Sequence, residues 1–263
     1  MLTYASLLLV MMATTGAEVP EQAPPPESGQ FIKRELALAG QIHRYQVFVP
    51  SSRHRASALP VILFLHGSGE RGSDGDKQIQ SGLGPYLQEN LADFPALVVF
   101  PQSPEGKSWD GVTAEVAMAA LDDTIEAFGG DTRRLYLTGL SRGGYGTYGI
   151  AMRHPQRFAA LVPICGGITS PRAEEPLQVD AAASQPDPFG AAAQRLRHIP
   201  AWIFHGALDD VVPADQSRRM HAALQAAGGD VRYTEFADAG HNAWDAAYRH
   251  QPVWAWLFAQ RLP

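Results

Sequence analysis

Apolar residues along this chain follow different spacings, and the spacings separate buried strands, half-exposed strands and helices. Unbroken apolar runs predict strands that are buried on both faces at 61–65, 97–100, 135–138, 161–165 and 201–205. Apolar residues three and four positions apart predict helices at 114–128, 215–227 and 252–262. Strict alternation predicts strands with one exposed face at 44–49 and 231–236. We place the first of these, 44–49, at an edge of the sheet, because Pro50 ends it.

Strands and helices alternate from about residue 61 onward, which predicts an α/β fold. The expected architecture is a mostly parallel, twisted sheet with helices on both faces. We assign it to one domain, residues 31–263. Residues 169–194 are rich in alanine, proline and acidic residues without a strong period. We expect them to form little regular structure and to be a small cap insertion over the active site.

The first 30 residues differ in character from the rest. Residues 1–17 carry no charged side chain and contain a short apolar run, and small residues precede Glu18. This pattern favours a cleaved signal peptide and a secreted or periplasmic protein, ahead of a retained membrane anchor or a disordered tail. Residues 18–30 contain three consecutive prolines and are predicted to be a disordered linker.

The net charge and the cysteine content exclude several kinds of partner and site. A formal net charge of -6 argues against nucleic acid or an anionic membrane surface as a partner. Cys165 is the single cysteine, so an intrachain disulfide or a cysteine metal cluster is excluded. It lies in an apolar run, which predicts a buried structural thiol. The histidines form no recognisable metal-binding pattern, so we expect no metal and no cofactor.

The sequence Gly139-Leu-Ser141-Arg-Gly143 lies between a predicted strand and a predicted helix. This order is typical of a nucleophile elbow, in which a serine lies on a sharp, strained turn at the end of a strand. The flanking glycines remove the Cβ atoms that would clash where strand and helix approach each other. Free N–H groups at the start of the helix would face a developing oxyanion. Ser141 is therefore the candidate nucleophile.

Residues that could activate this serine follow it in the sequence. A serine hydroxyl needs a base to take its proton, and the base needs an acid to orient it. Asp209 and Asp210 come directly after a predicted strand, and His241 follows the last one. The order Ser141, Asp209, His241 is that of α/β-hydrolases. We prefer Asp209 as the acid, because Asp210 precedes a turn that it could cap instead.

Two further segments are expected at the same edge of the sheet. The flexible sequence His66-Gly67-Ser68-Gly69 follows a strand and could supply an oxyanion hole, made by the backbone N–H groups of Ser68 and Arg142. His66 and His205 each precede a glycine at a strand end, and we interpret them as structural hydrogen-bonding residues rather than bases. Three aromatic residues could line the substrate site or equally pack in the core: Trp109, Tyr145 and Trp244.

Taken together, these motifs resemble the α/β-hydrolase superfamily. They are similar to the secreted carboxylesterases and predicted peptidases related to prolyl oligopeptidase and dienelactone hydrolase, a group with feruloyl and acetyl esterases among its relatives. The motifs that carry the resemblance are residues 65–72, 101–106 and 139–146. The resemblance implies Ser141 as nucleophile, His241 as base and Asp209 as acid. Dienelactone hydrolase has a cysteine where this chain has Ser141, which argues against lactone chemistry of that kind.

The sequence thus predicts a cofactor-free serine esterase that acts through an acyl-enzyme on Ser141. Its substrate would be a small-molecule or polysaccharide-linked ester. A serine peptidase with the same three residues is the first alternative. The second is a binding module on the same scaffold that does not turn substrate over.

Overall fold

A computed structural model describes residues 27–54, 58–171 and 177–263. The strands are β1 (Gln30–Leu38), β2 (Gln41–Val49), β3 (Leu59–Leu65), β4 (Leu97–Pro101), β5 (Gly130–Leu140), β6 (Ala160–Ile164), β7 (Ala201–Gly206) and β8 (Val231–Phe236). The helices are α1 (Leu83–Glu89), α2 (Gly111–Phe128), α3 (Arg142–Arg153), α4 (Asp180–Ala183), α5 (Pro188–Leu196), α6 (Asp215–Ala226), α7 (Trp244–Arg249) and α8 (Pro252–Ala259).

The strands form one sheet in the order β1-β2-β4-β3-β5-β6-β7-β8. Strand β2 is antiparallel to β1 and β4, and every neighbouring pair from β4 to β8 is parallel. The carboxyl ends of β3 to β8 therefore lie at one edge of the sheet, where parallel α/β sheets place their sites. The α/β-hydrolase fold predicted from the sequence is confirmed.

Helices cover both faces of the sheet, and the strands divide their side chains between the two layers. In β3, Val61, Leu63 and Leu65 belong to the core layer that includes residues of α2, α3, α5 and α6, whereas Ile62 and Phe64 belong to the layer that includes residues of α1, α7 and α8. All seven residues of this strand are buried. A run of large apolar residues with no polar alternation is what a strand covered on both faces requires.

Several sequence predictions are wrong in detail. Segment 44–49 lies within β2, which is an inner strand, because β1 occupies the edge. Residue 30, which we assigned to the linker, pairs in β1. Residues 1–26, which include the predicted signal peptide and most of the predicted linker, lie outside the described residues. Three elements were not predicted: β1, α1 and α7.

The prediction of little structure at 169–194 is wrong for the described part of that segment. Helix α4 and most of α5 lie within it, and α5 begins with an Asp187 cap that accepts the Gly190 N–H. Helix α5 buries Phe189 and Leu196 against α3 and α6. This helix is therefore part of the layer that covers the sheet.

Candidate active site

Ser141 lies at the turn between β5 and α3 with φ 52 and ψ −117. A positive φ is uncommon for a residue with a side chain and costs about 1–3 kcal/mol. Its N–H donates to the Ile164 carbonyl at 2.9 Å, which fixes the turn to the neighbouring strand. A Cβ on Gly143 would lie 1.9 Å from the Leu65 carbonyl oxygen, and one on Gly139 would lie 2.3 Å from the Gly143 oxygen. The turn therefore has this shape only with glycine on both sides of the serine.

A continuous chain of hydrogen bonds joins the serine, the histidine and the aspartate. His241 Nε2 lies 2.8 Å from Ser141 Oγ, and His241 Nδ1 lies 2.8 Å from Asp209 Oδ2. The Asp209 side chain is fully buried and that of His241 is 19% exposed. An acceptor on Nδ1 selects the tautomer whose Nε2 is free to accept the serine proton. This is the geometry that proton removal from a hydroxyl requires.

The buried Asp209 carboxylate is held by four donors. Its Oδ1 accepts the N–H groups of Val211 and Val212 at 2.9 and 2.8 Å, and its Oδ2 faces both His241 and His205. Burial by itself raises the pKa of Asp209, but the hydrogen bonds from His205, His241 and Val212 outweigh it and hold that pKa well below its usual value. The Asp209 carboxyl is therefore ionised throughout the neutral range.

The structure separates the two adjacent aspartates. Asp209 faces His241, as the sequence argument prefers, whereas Asp210 is exposed. The turn that contains them is pressed against the loop that carries His241. A Cβ on Gly206 would lie 2.2 Å from the Gly240 carbonyl oxygen, so only glycine allows these two segments to approach.

The two predicted oxyanion donors are the N–H groups of Ser68 and Arg142, and the Arg142 side chain connects the two segments that carry them. Arg142 begins α3 directly after the nucleophile, and its Nε donates to Ser68 Oγ at 2.8 Å. Its guanidinium also donates to Ser108 Oγ at 2.6 Å. A Cβ on Gly67 would lie 3.7 Å from Ser141 Cβ, so the loop that contains Ser68 borders the nucleophile. The backbone N–H groups of Ser68 and Arg142 are thus on neighbouring segments beside Ser141.

His66 and His205 are both buried and hydrogen-bonded, as predicted. The His66 ring accepts the Ser103 N–H at Nε2 and contacts the Gly67 carbonyl at Nδ1. Burial lowers the pKa of His66 to about 4, so this ring is neutral. His205 differs, because it contacts Asp209 as well as neighbouring main chain. The sequence interpretation missed that contact, although the spacing of the two residues places both at the end of β7.

The three candidate aromatic residues have different surroundings. Trp109 and Tyr145 are buried, and their polar atoms donate to the carbonyls of His66 and Thr169. Both also line a cleft beside α3, together with Arg142 and residues 177–181. Trp244 is partly buried and its ring meets the His241 ring edge to face, with centroids 5.3 Å apart. Of the three aromatic residues, Trp244 is the one whose ring packs against His241.

Within the described residues, Cys165, His205 and Asp209 are a group of potential metal ligands, with ligand atoms within 4.8 Å of one another. Hydrogen bonding accounts for their proximity. His205 Nε2 lies 2.9 Å from the Val212 carbonyl, which can only accept, so Nε2 carries its proton there and has no lone pair for a metal. Cys165 is buried as predicted, and burial raises its thiol pKa.

No helix within 27–54, 58–171 and 177–263 is long and apolar enough to cross a bilayer.

A model of the prolyl oligopeptidase family matches residues 178–261, the part of the chain that contains Asp209 and His241. Among relatives by sequence, a bifunctional acetylxylan esterase/xylanase of Neocallimastix patriciarum is 30% identical over 189 residues, which cover 70% of this chain and 23% of that protein. An esterase of Escherichia coli is 27% identical over 247 residues, which cover 83% of this chain and 91% of that protein.

Among solved structures, a thermostable esterase is 29% identical and superposes with a TM-score of 0.69. The match covers 88% of this chain and 63% of that one. The chain therefore spans less than a quarter of the acetylxylan esterase/xylanase and under two thirds of this esterase. The chain has the α/β-hydrolase fold, and its predicted resemblance to the esterase and peptidase group of that superfamily is confirmed.

Proposed function

We propose that this protein is a serine carboxylesterase with Ser141 as nucleophile, His241 as base and Asp209 as acid. The hydrogen-bonded series from Ser141 Oγ through His241 to Asp209, at the carboxyl edge of the sheet, is the observation that carries the proposal. The esterases among its relatives support the same reaction class.

In the proposed reaction, His241 takes the Ser141 proton as Oγ attacks the carbonyl carbon of the ester. The negative charge on the carbonyl oxygen is stabilised by the backbone N–H groups of Ser68 and Arg142. His241 then gives its proton to the departing alcohol, which leaves an acyl-enzyme. Water attacks this acyl group with His241 again as base, and the carboxylic acid departs as Ser141 recovers its proton.

A fluorophosphonate probe followed by peptide mapping tests the nucleophile. We expect one label per chain, on Ser141, and loss of both labelling and ester turnover in Ser141→Ala. Ser184→Ala is the matched control, because Ser184 is exposed at the end of α4. Full turnover in folded Ser141→Ala would overturn the proposal, and labelling without turnover of any ester or amide would favour the binding-module alternative.

A peptidase with the same three residues is the second candidate, supported by the match to the prolyl oligopeptidase family. The two reactions differ in the leaving group, since an amide nitrogen must be protonated by His241 before it departs. A panel of p-nitrophenyl, acetylated-sugar and hydroxycinnamoyl esters beside peptide amides separates them. We expect kcat/KM to be higher for esters with polysaccharide-type alcohols than for any peptide amide.

We further propose that the protein is exported and that the mature chain begins near Glu18. The uncharged apolar segment and the small residues before Glu18 support this proposal. Intact-mass measurement of the protein from its native host tests it. Soluble cytoplasmic protein that retains Met1 would contradict it.

A further inference from the structure

His205 lies beneath the proposed acid, outside the three residues that the reaction uses. Its side chain is completely buried, and its Nε2 lies 3.1 Å from Asp209 Oδ2. That oxygen is the same one that His241 Nδ1 contacts at 2.8 Å. Two imidazole rings thus meet one carboxylate oxygen, one from the side of the nucleophile and one from the interior.

The neighbours of the ring determine where its proton lies. The Val212 carbonyl is 2.9 Å from Nε2 and can only accept a hydrogen bond, so Nε2 must carry a hydrogen. This hydrogen lies between the carbonyl and Asp209 Oδ2. In the neutral ring Nδ1 then accepts the hydroxyl proton of Ser217, whose Oγ is 2.7 Å away. Ser217 is also buried, so water does not compete for this contact.

We propose that His205 is a positioning residue that aims the Asp209 carboxylate at His241 and shares its negative charge. The inference rests on the proposed function, because it assigns a role in the same reaction. The Oδ1 atom is held by two backbone N–H groups, and His205 supplies the second donor to Oδ2. In a buried site, a carboxylate with every acceptor position occupied is fixed in orientation, and the loss of one donor loosens that orientation.

Sharing of the Asp209 charge between the two rings affects the pH at which His241 acts as a base. With His205 removed, the Oδ2 charge acts on His241 alone, which stabilises the protonated imidazole and makes it a base only at higher pH. Two further titratable groups interact with this site: Cys165, which directly follows β6, with Asp209, and Glu235 on β8, with His205. Burial raises the pKa of the Cys165 thiol. Arg218 of α6 donates a hydrogen bond to Glu235 and forms an ion pair with it, and the hydrogen bond lowers the pKa of Glu235. Neither group changes charge near neutral pH.

Two amide substitutions separate the contacts of the ring. A glutamine amide nitrogen is three bonds from Cβ, as Nε2 is, so His205→Gln keeps a donor for Asp209. An asparagine amide is two bonds from Cβ, as Nδ1 is, so His205→Asn keeps a partner for Ser217 and removes the donor to Asp209. Both variants replace the ring by a buried amide, and they differ by one methylene, so thermal stability is measured for each.

We expect His205→Asn to lower kcat about 10- to 100-fold, the effect of one hydrogen bond to a charged group, with KM within about twofold. The midpoint of its pH profile of kcat/KM should rise. His205→Gln should keep kcat within about threefold and the wild-type midpoint. Equal behaviour of the two variants, or a change in thermal stability alone, would overturn the inference. A wild-type enzyme without Ser141-dependent turnover would instead remove the proposed function.

A measurement on the unaltered protein covers the case in which both variants fail to fold. Nitrogen-15 spectra of the imidazole rings report which ring nitrogen carries the proton. We expect a buried ring with its proton on Nε2, assigned to His205 from its correlations with the backbone of β7. A His205 ring protonated on Nδ1 alone would overturn the inference, because it could not donate to Asp209.

Discussion

The proposed nucleophile and the proposed acid are held in place by different means. Ser141 is positioned by main chain: Gly139 and Gly143 allow β5, β3 and α3 to approach within distances that no Cβ could enter. Asp209 is positioned by hydrogen bonds, from two backbone N–H groups and two imidazole rings. His241 lies between the two arrangements, and its loop contacts the acid turn through the close approach at Gly206.

This difference predicts different responses to substitution. A site held by main-chain contact depends on volume, so the smallest added side chain disrupts it and the protein with it. A site held by hydrogen bonds depends on donors and acceptors, so a substitution of equal size can abolish activity and leave the fold intact. The four predictions below test this contrast.

Gly143→Ala should have the largest effect, on stability. Its Cβ would lie 1.9 Å from the Leu65 carbonyl oxygen, inside the sheet. We expect a loss of more than about 4 kcal/mol in the free energy of unfolding, measured by urea denaturation. Gly149→Ala is the matched control in the same helix, where the nearest atom is 4.0 Å away. It should stabilise by up to about 1 kcal/mol. Similar unfolding of the two variants would disprove the main-chain explanation.

Asp209→Asn should have the largest effect on activity without unfolding the protein. Asparagine occupies the same space but removes the charge and the tautomer preference of His241, so we expect kcat to fall by about 10³ to 10⁴. Asp210→Asn is the matched control and should cost less than about tenfold, because that residue is exposed. Kinetics at a temperature where both variants are folded provide the comparison. A larger loss for Asp210→Asn would reverse the assignment.

The same acid should contribute a pH-dependent part of the stability. Because the folded-state pKa of Asp209 lies below its unfolded value of about 3.9, its contribution is complete above that value. The contribution is lost as the pH falls through the lower, folded-state pKa. The wild type should therefore exceed Asp209→Asn in unfolding free energy at pH 6, and the difference should shrink toward pH 2. Urea denaturation across this range measures it, and a constant difference would contradict it.

Trp244 substitutions should have the smallest effect. The edge-to-face contact with His241 is of a kind worth about 0.5–1.5 kcal/mol, so Trp244→Ala should lower kcat/KM by about two- to tenfold. Trp244→Phe keeps an aromatic ring in place and should lose less. Steady-state kinetics on one ester suffice. Greater damage from Phe than from Ala would show that the ring edge does not support His241.

The contrast also explains which parts of the site could be predicted from the sequence. Main-chain approach requires glycine, and glycine is visible in a sequence, so the turn at Ser141 was recognisable. The order of Ser141, Asp209 and His241 was recognisable for a similar reason, since each follows a strand. The contact of His205 with Asp209 was not, because it depends on how the turn after β7 folds back on that strand. The four-residue separation is a signal that could have indicated it.

The fold was predictable where burial makes strands uniformly apolar. Strand β1 was missed because charged residues such as Lys33, Arg34 and Glu35 interrupt it, as an edge strand tolerates. The Ala39-Gly40 turn, with φ values of 50 and 74, is a hairpin signal that could have revealed it. Helices α1 and α7 have seven and six residues, too few to establish a helical period. Helix α5 was hidden by its alanines, although Asp187-Pro188 is a helix-start signal.

The burial of Cys165 has a practical consequence for following motion in this protein. It is the only thiol in the chain, it is fully buried, and its N–H is bonded to the Phe204 carbonyl of β7. The thiolate is the species that attacks a disulfide reagent, so the buried Cys165 reacts only when the structure around it opens. The rate of thiol labelling in the native protein therefore reports the local opening that exposes Cys165. It requires no engineered probe, and slower labelling after acylation of Ser141 would measure how far an occupied site restrains that opening.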